Sequence, residues 1–191
     1  MKQIVVYCAS SDRVPTRYLD VATELGQLLA EKGFVCVNGA GRAGLMGALN
    51  NAVLSYGGRA KGIIPRFMVE AGWGHPRLTE TIVTETIHER KALMAESADA
   101  VVALPGGVGT LEELAEIITW KQLGLFRSPV IILNAYNYYG NLLAFMEKMI
   151  EEQFMNKVCR GLWSVASTAD EAVRLVDVQP VWSHSGTKYD K

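Results

Sequence analysis

Residues Ala100 to Leu104 form a short, almost wholly apolar run that breaks into Pro105-Gly-Gly-Val-Gly-Thr110 and then into a helical pattern carried by Leu111, Leu114, Ala115, Ile117 and Ile118. A run with no polar alternation is what a central parallel strand requires, because both of its faces are covered. A parallel strand must be followed by a crossover, so strand, glycine turn and helix in this order commit the chain to an α/β fold. Gly106, Gly107 and Gly109 lack a Cβ, which lets the backbone lie close against a ligand. The first amides of the following helix have no intrahelical acceptors, and the helix dipole adds positive potential there. An anion, above all a phosphate, is the natural occupant, held by Gly106, Gly107, Val108, Gly109 and Thr110. The segment is neither a Walker loop nor the Gly-x-Gly-x-x-Gly dinucleotide fingerprint. A plain glycine turn without a ligand is the competing reading.

The same alternation runs through the chain. Gln3 to Cys8 reads as a strand, Tyr18 to Lys32 as an amphipathic helix stopped by Gly33, Phe34 to Val37 as a strand, and Leu45 to Tyr56 as a helix closed by Gly57-Gly58. Arg59 to Ile64 is a strand, Pro65 to Glu80 a long polar loop holding Trp73-Gly-His-Pro76, and Ile82-Val83 a short strand. Thr86-Ile-His-Glu89 has capping-box spacing for a helix running to Ser97. After the central motif, whose helix extends to Leu123, come a strand at Pro129 to Leu133, a long helix at Tyr138 to Gln153, a short strand within Val158 to Ala166 and a helix at Thr168 to Val176. No hairpin signal interrupts the pattern, so the expectation is a single-domain, Rossmann-like, doubly wound parallel sheet with helices on both faces, residues 1–177, followed by a polar tail, 178–191.

In such sheets ligands bind beyond the carboxyl ends of the strands, where strand order reverses. Ser10 and Ser11, at the end of the first strand, either touch the ligand or shape the turn and cap the next helix. Gly41 and Arg42 sit in a second glycine turn at the same edge. There Arg42 faces phosphate or ribose oxygens, or stands solvated. Arg90 and Lys91 fall in the first turn of a helix, where the dipole disfavours cations, so an anionic ligand or a carboxylate partner must justify them. For Arg90, Glu85, Glu89 or a neighbouring subunit are the local alternatives.

Composition narrows the function. The chain has 191 residues, 49% of them apolar, and a formal charge of −1, which suits one packed domain and supplies no basic field for nucleic acid. No apolar run approaches the roughly 20 residues of a membrane span, and Met1-Lys2-Gln3 leads directly into a strand, so a cytoplasmic protein without membrane partner is expected. Cys8, Cys36 and Cys159 are too far apart for a metal or disulfide framework, and His75, His88 and His184 are equally scattered, so no metal site is expected.

Pro105-Gly-Gly-x-Gly-Thr-x-x-Glu113 resembles a signature of the LONELY GUY (LOG) family of phosphoribohydrolases, often mislabelled lysine decarboxylases. A second family signature, Gly-Gly-Gly-x-x-Gly-Leu-Met-Gly, is matched by Gly39-Ala-Gly-Arg-Ala-Gly-Leu-Met-Gly47, with Ala40 departing from it, and a third by Arg90 and Lys91. The resemblance implies hydrolysis of the N-glycosidic bond of a nucleoside 5′-monophosphate, AMP or an N6-modified AMP such as a cytokinin riboside monophosphate, with no cofactor. It also implies a homodimer, for which Trp120, Phe126 and Tyr138 or Tyr139 are compatible surface residues. Glu113 would stabilise the ribosyl cation and align water, beside Glu112 and Glu116 in an acidic patch, and Arg90 would hold the substrate or Glu113. The competing reading of Thr110-x-x-Glu113 is a capping box that turns the acid away from the sugar. The alternative function is a nucleotide or molybdenum-cofactor carrier using the same cradle without turnover. Lysine decarboxylation would need pyridoxal phosphate on a Schiff-base lysine, which nothing here singles out.

Overall fold

The computed structural model describes residues 1–178 and 182. Seven strands, β1 (Gln3–Tyr7), β2 (Val35–Asn38), β3 (Arg59–Pro65), β4 (Glu80–Thr84), β5 (Ala100–Ala103), β6 (Val130–Leu133) and β7 (Ser164–Ala166), form one sheet in the order β4-β3-β2-β1-β5-β6-β7. All its pairings are parallel. Strand order reverses beside β1, so the crevice expected to hold a ligand opens between the ends of β1, β2 and β5.

Seven α-helices cross over: α1 (Thr16–Glu31), α2 (Gly44–Ser55), α3 (Arg66–Glu70), α4 (Ile87–Glu96), α5 (Val108–Gln122), α6 (Gly140–Glu151) and α7 (Ala169–Val178). Side chains alternate across each strand, and the two resulting cores are separate. Ile4, Val6, Val102 and Ile131 pack under α1, α2 and α7, against Leu25, Leu49 and Val173. Val5, Val101 and Ile132 pack on the other side against Met94 of α4, Ile117 of α5 and Ile150 of α6. The doubly wound arrangement is therefore as the sequence predicts. Among the described residues no helix is long and apolar enough to cross a membrane.

Three local expectations are corrected. The segment 65–80 is not loop throughout, since it contains α3 and a bridge from Gly74 to Gly41. The helix expected from Tyr138 begins only at Gly140, because Tyr136 and Asn137 take left-handed φ of 54° and 58° and turn the chain first. Phe126 and Tyr139, expected on the surface, are 6% and 5% exposed and belong to the core, whereas Tyr138 remains exposed and Trp120 half-buried. Most of the expected tail lies outside the described residues. Trp182 is buried against Gly161, and its amide donates to Arg127 O at 3.0 Å.

Candidate active site

The last residues of β5 deliver Leu104, Pro105 and Gly106 to the sheet edge, and α5 begins at Val108 with Gly107 as its N-cap and no capping side chain. The first amide to find a carbonyl one turn back is that of Leu111, which donates to Gly107 O at 3.0 Å. The preceding amides are thus left for a ligand. The glycines divide by what a Cβ would meet. At Gly106 it would fall 2.1 Å from Thr110 Oγ1, so packing demands that glycine, whereas at Gly107 and Gly109 it would meet nothing within 4 Å. The space over those two belongs to the cleft.

Thr110 lies in the helix rather than at its cap, and the capping arrangement with Glu113 is not formed. Glu113 instead turns into the cleft, where its Oε1 accepts from Arg90 Nη2 at 2.8 Å, each side chain being 11% exposed. The local alternatives for Arg90 are taken. Glu85 pairs with Arg66 at 2.7 Å, and Glu89 accepts from the Glu85 amide while its own amide donates to Thr86 Oγ1 in the predicted cap of α4. Burial raises the Glu113 carboxyl above its ordinary value, against the pull of the Arg90 charge. Arg90 Nε is buried and makes no hydrogen bond in the protein. Space for the guanidinium comes from Gly39, where a Cβ would stand 2.4 Å from Arg90 Nη2.

Lys91 is 6% exposed and pairs with Glu112 and, at 3.1 Å, with Glu116, both on the adjacent face of α5. Burial lowers its pKa, but the two carboxylates outweigh that and raise it overall. Neither Lys91 nor Glu112 lines the cleft, so the expected acidic patch is divided: Glu113 faces the cleft, while Glu112 and Glu116 share Lys91 beside it.

The opposite wall is the loop after β2. Asn38 and Asn50, both fully buried, bond each other, with Asn38 Nδ2 donating to Asn50 Oδ1 at 2.7 Å. Asn38 Oδ1 accepts the Ala40 amide at 2.9 Å, and Asn50 Nδ2 donates to Gly41 O at 3.3 Å. This network holds Ala40 at a φ of 62°, the positive value that the alanine makes costly and a glycine would not. The Ala40 carbonyl accepts from the His75 amide at 2.7 Å and the Arg42 amide donates to Trp73 O at 3.1 Å, so the two loops are tied together. Ser10 and Ser11 pack on Gly44, and Ser11 Oγ also accepts from the Arg13 amide at 3.3 Å, so both line the cleft while Ser11 shapes its turn.

Together these elements enclose a cavity of about 670 Å³. Its lining brings together the α5 amino terminus, Ser10 and Ser11, Arg42 on the loop after β2, the Arg90 and Glu113 pair, and the apolar side chains Met46, Ile64, Met68 and Trp73. A volume of that size suits a ligand of nucleotide dimensions. No lysine lines it, and among the described residues no group of His, Cys, Asp and Glu could hold a metal ion. The site thus offers an anion seat, a buried acid with its guanidinium, and an apolar wall. The 65–80 segment does shape the pocket, through Met68 and Trp73, while sequence reasoning missed Met46 and Ile64 beside them and the Asn38–Asn50 pair. The signal for the pair was two adjacent amides, Asn50 and Asn51, inside an otherwise apolar helix.

A family model described as possible lysine decarboxylase matches residues 46–176. Cytokinin riboside 5′-monophosphate phosphoribohydrolase LOG7 of Arabidopsis thaliana is 41% identical over 176 residues, 92% of this chain and 81% of the relative. LOG3 of the same plant, with the same enzyme name, is 40% identical over 188 residues, covering 98% and 87%. Among solved structures, the protein TM1055 superposes with a TM-score of 0.73 at 27% identity, over 93% of this chain and 99% of its own. The molybdenum-cofactor carrier protein of Chlamydomonas reinhardtii superposes at 0.70 with 23% identity, over 92% and 94%, a likeness of fold alone.

Proposed function

This chain belongs to the LONELY GUY family, and on that footing we propose that it hydrolyses the N-glycosidic bond of a nucleoside 5′-monophosphate, giving a free base and ribose 5-phosphate. The observation that carries the reading is the buried pair of Arg90 and Glu113 inside the same cavity as the unsatisfied amides at the start of α5. The 5′-phosphate sits on the amides from Gly107 to Thr110, with Ser10, Ser11 and Arg42 at its side. Anchoring a remote phosphate places the reacting bond and lets that binding energy act on the chemical step. The base then reaches the wall of Ile64, Met68 and Trp73, and the ribose lies over Glu113.

As the bond from the anomeric carbon to the base nitrogen breaks, its electrons leave with the base and positive charge develops on the ribose. The Glu113 carboxylate stabilises that charge and accepts a proton from the attacking water, whose oxygen bonds to the anomeric carbon. Arg90 keeps the carboxylate ionised and aimed, and its free Nε–H remains to bind a sugar oxygen. The departing base takes up a proton in turn, so water is the only co-reactant.

The substrate is AMP or an N6-modified AMP, since the apolar wall leaves room for an apolar substituent on adenine. The protein works as a homodimer. The family supports this, as do the exposed apolar side chains Ile87, Val108 and Leu111 at the amino ends of α4 and α5. The experiment is base release from AMP, isopentenyl-AMP and adenosine by the purified protein. The reading expects turnover of the monophosphates and little of the nucleoside. Equal rates on AMP and adenosine would remove the phosphate from the account, and no release from either monophosphate would remove the reaction.

A further inference from the structure

Tyr138 lies outside the cavity and has no part in the reaction described above, yet its hydroxyl donates to Gly106 O at 2.7 Å. In a trans peptide the carbonyl and the next N–H point in opposite directions, and no peptide bond among the described residues is cis. Fixing the Gly106 oxygen on Tyr138 therefore turns the Gly107 N–H to the other side. Gly107 lines the cavity and Tyr138 does not, so that other side is the cavity.

A peptide between two glycines has no Cβ on either side to resist rotation. If it flipped, a carbonyl oxygen would face the anion where a donor is needed. The two neighbouring carbonyls of this turn are held as well, Leu104 O by Tyr139 Oη at 2.7 Å and Pro105 O by the Ala9 amide at 3.2 Å. The segment that supplies both tyrosines is bent for the purpose. Tyr136 and Asn137 hold left-handed φ, while Asn134 accepts the Tyr139 amide on its Oδ1 at 2.7 Å and the Asn137 amide on its backbone oxygen at 3.1 Å. Strained backbone of this kind persists only where its surroundings over-determine it, which these bonds do. The Tyr138 ring is set independently of its hydroxyl by edge contacts with Tyr18 at 5.6 Å and Tyr139 at 5.0 Å.

We infer that Tyr138 is a positioning residue for the phosphate seat, its hydroxyl locking the Gly106–Gly107 peptide with the Gly107 N–H turned toward the substrate's phosphate. This rests on the phosphoribohydrolase reading.

Tyr138→Phe keeps the ring contacts and removes only the donor. The KM for AMP and the calorimetric Kd for ribose 5-phosphate should rise together, roughly three- to tenfold for one lost hydrogen bond. Because the phosphate's binding energy also serves the chemical step, kcat should fall by less than KM rises, and the inhibition constant of adenosine, which has no phosphate, should not move. A merely structural tyrosine would weaken adenosine and ribose 5-phosphate alike, and that result, or an unchanged Kd for ribose 5-phosphate, overturns the inference. Should the variant not fold, amide NMR of the wild-type protein titrated with ribose 5-phosphate decides instead: the Gly107 resonance must move downfield, and a static one refutes the assignment. Wild-type protein that neither releases adenine from AMP nor binds ribose 5-phosphate would sink the reaction itself. Wild-type protein that does both but is indifferent to Tyr138→Phe would sink only this inference.

Discussion

Arg90 Nη2 lies 2.8 Å from Glu113 Oε1, across the gap between α4 and α5, in a pair that is almost wholly withdrawn from water. Removing one member of a buried pair leaves the other uncompensated, which is far costlier than losing an exposed bridge. Arg90→Ala should therefore destabilise the fold by about 3 kcal/mol and reduce turnover together. Glu113→Gln preserves the shape and an acceptor for Arg90 but not the opposing charge, so it should lose less stability than Arg90→Ala while kcat falls by roughly a hundred- to ten-thousand-fold. Calorimetric melting beside steady-state assays of the two variants separates these effects.

The acid limb of the pH profile follows from the same carboxyl. Burial raises Glu113 above the ordinary 4.5, so the catalytic carboxylate forms only at a pH above that value. The inflection of kcat/KM on the acid side should lie above 4.5 and vanish in Glu113→Gln. The sign for stability is opposite to that of an ordinary paired carboxylate. The fold binds this proton more tightly than the unfolded chain does, so the group's contribution is complete below the unfolded value and declines as pH rises through the folded one. A profile limb at or below the ordinary carboxylate range would contradict the assignment.

Two glycines on opposite walls should respond to alanine in opposite ways. At Gly39 the new methyl would stand 2.4 Å from Arg90 Nη2 and push the guanidinium off Glu113, so kcat should fall at least about tenfold. At Gly109 it would meet no protein atom, and alanine in place of glycine in a helix stabilises by about 1 kcal/mol. Gly109→Ala should thus melt higher while its KM for AMP rises, because the methyl occupies the phosphate's space. A stabilised variant with unchanged KM would show that the phosphate sits elsewhere.

The Asn38–Asn50 pair supports the loop that carries Gly39 and the strained Ala40. Asn50→Ala would leave Asn38 and the Gly41 carbonyl short of a partner in a fully buried site, at a cost of about 1–3 kcal/mol. Chemical denaturation measures this directly, and a change below about 0.5 kcal/mol would show that water replaces the amide.

The path from β5 through the glycine turn into α5 was legible because three independent signals agree there: the unbroken apolar run, the glycines and the helical spacing that follows. Arg90 and Lys91 announced themselves as cations at the unfavourable end of a helix, and each has a carboxylate partner. Which acids those were depended on how α4 lies against α5, a tertiary fact, so the sequence left Lys91 between an anionic ligand and a carboxylate partner, and it is Glu112 and Glu116 that hold it. Helix α3 is five residues long, too short for periodicity to register. The turn at 135–139 was missed because Tyr136 and Asn137 carry ordinary side chains at φ values that sequence reserves for glycine. Of the two tyrosines it presents, Tyr138 is exposed as expected and only Tyr139 turns into the core.

The most direct test of the whole account is a crystal structure of Glu113→Gln with AMP. It should show the phosphate accepting from the amides of Gly107 to Thr110, the anomeric carbon beside the residue 113 amide, and adenine against Trp73. A phosphate bound away from the start of α5, or a ribose beyond the reach of residue 113, would contradict it.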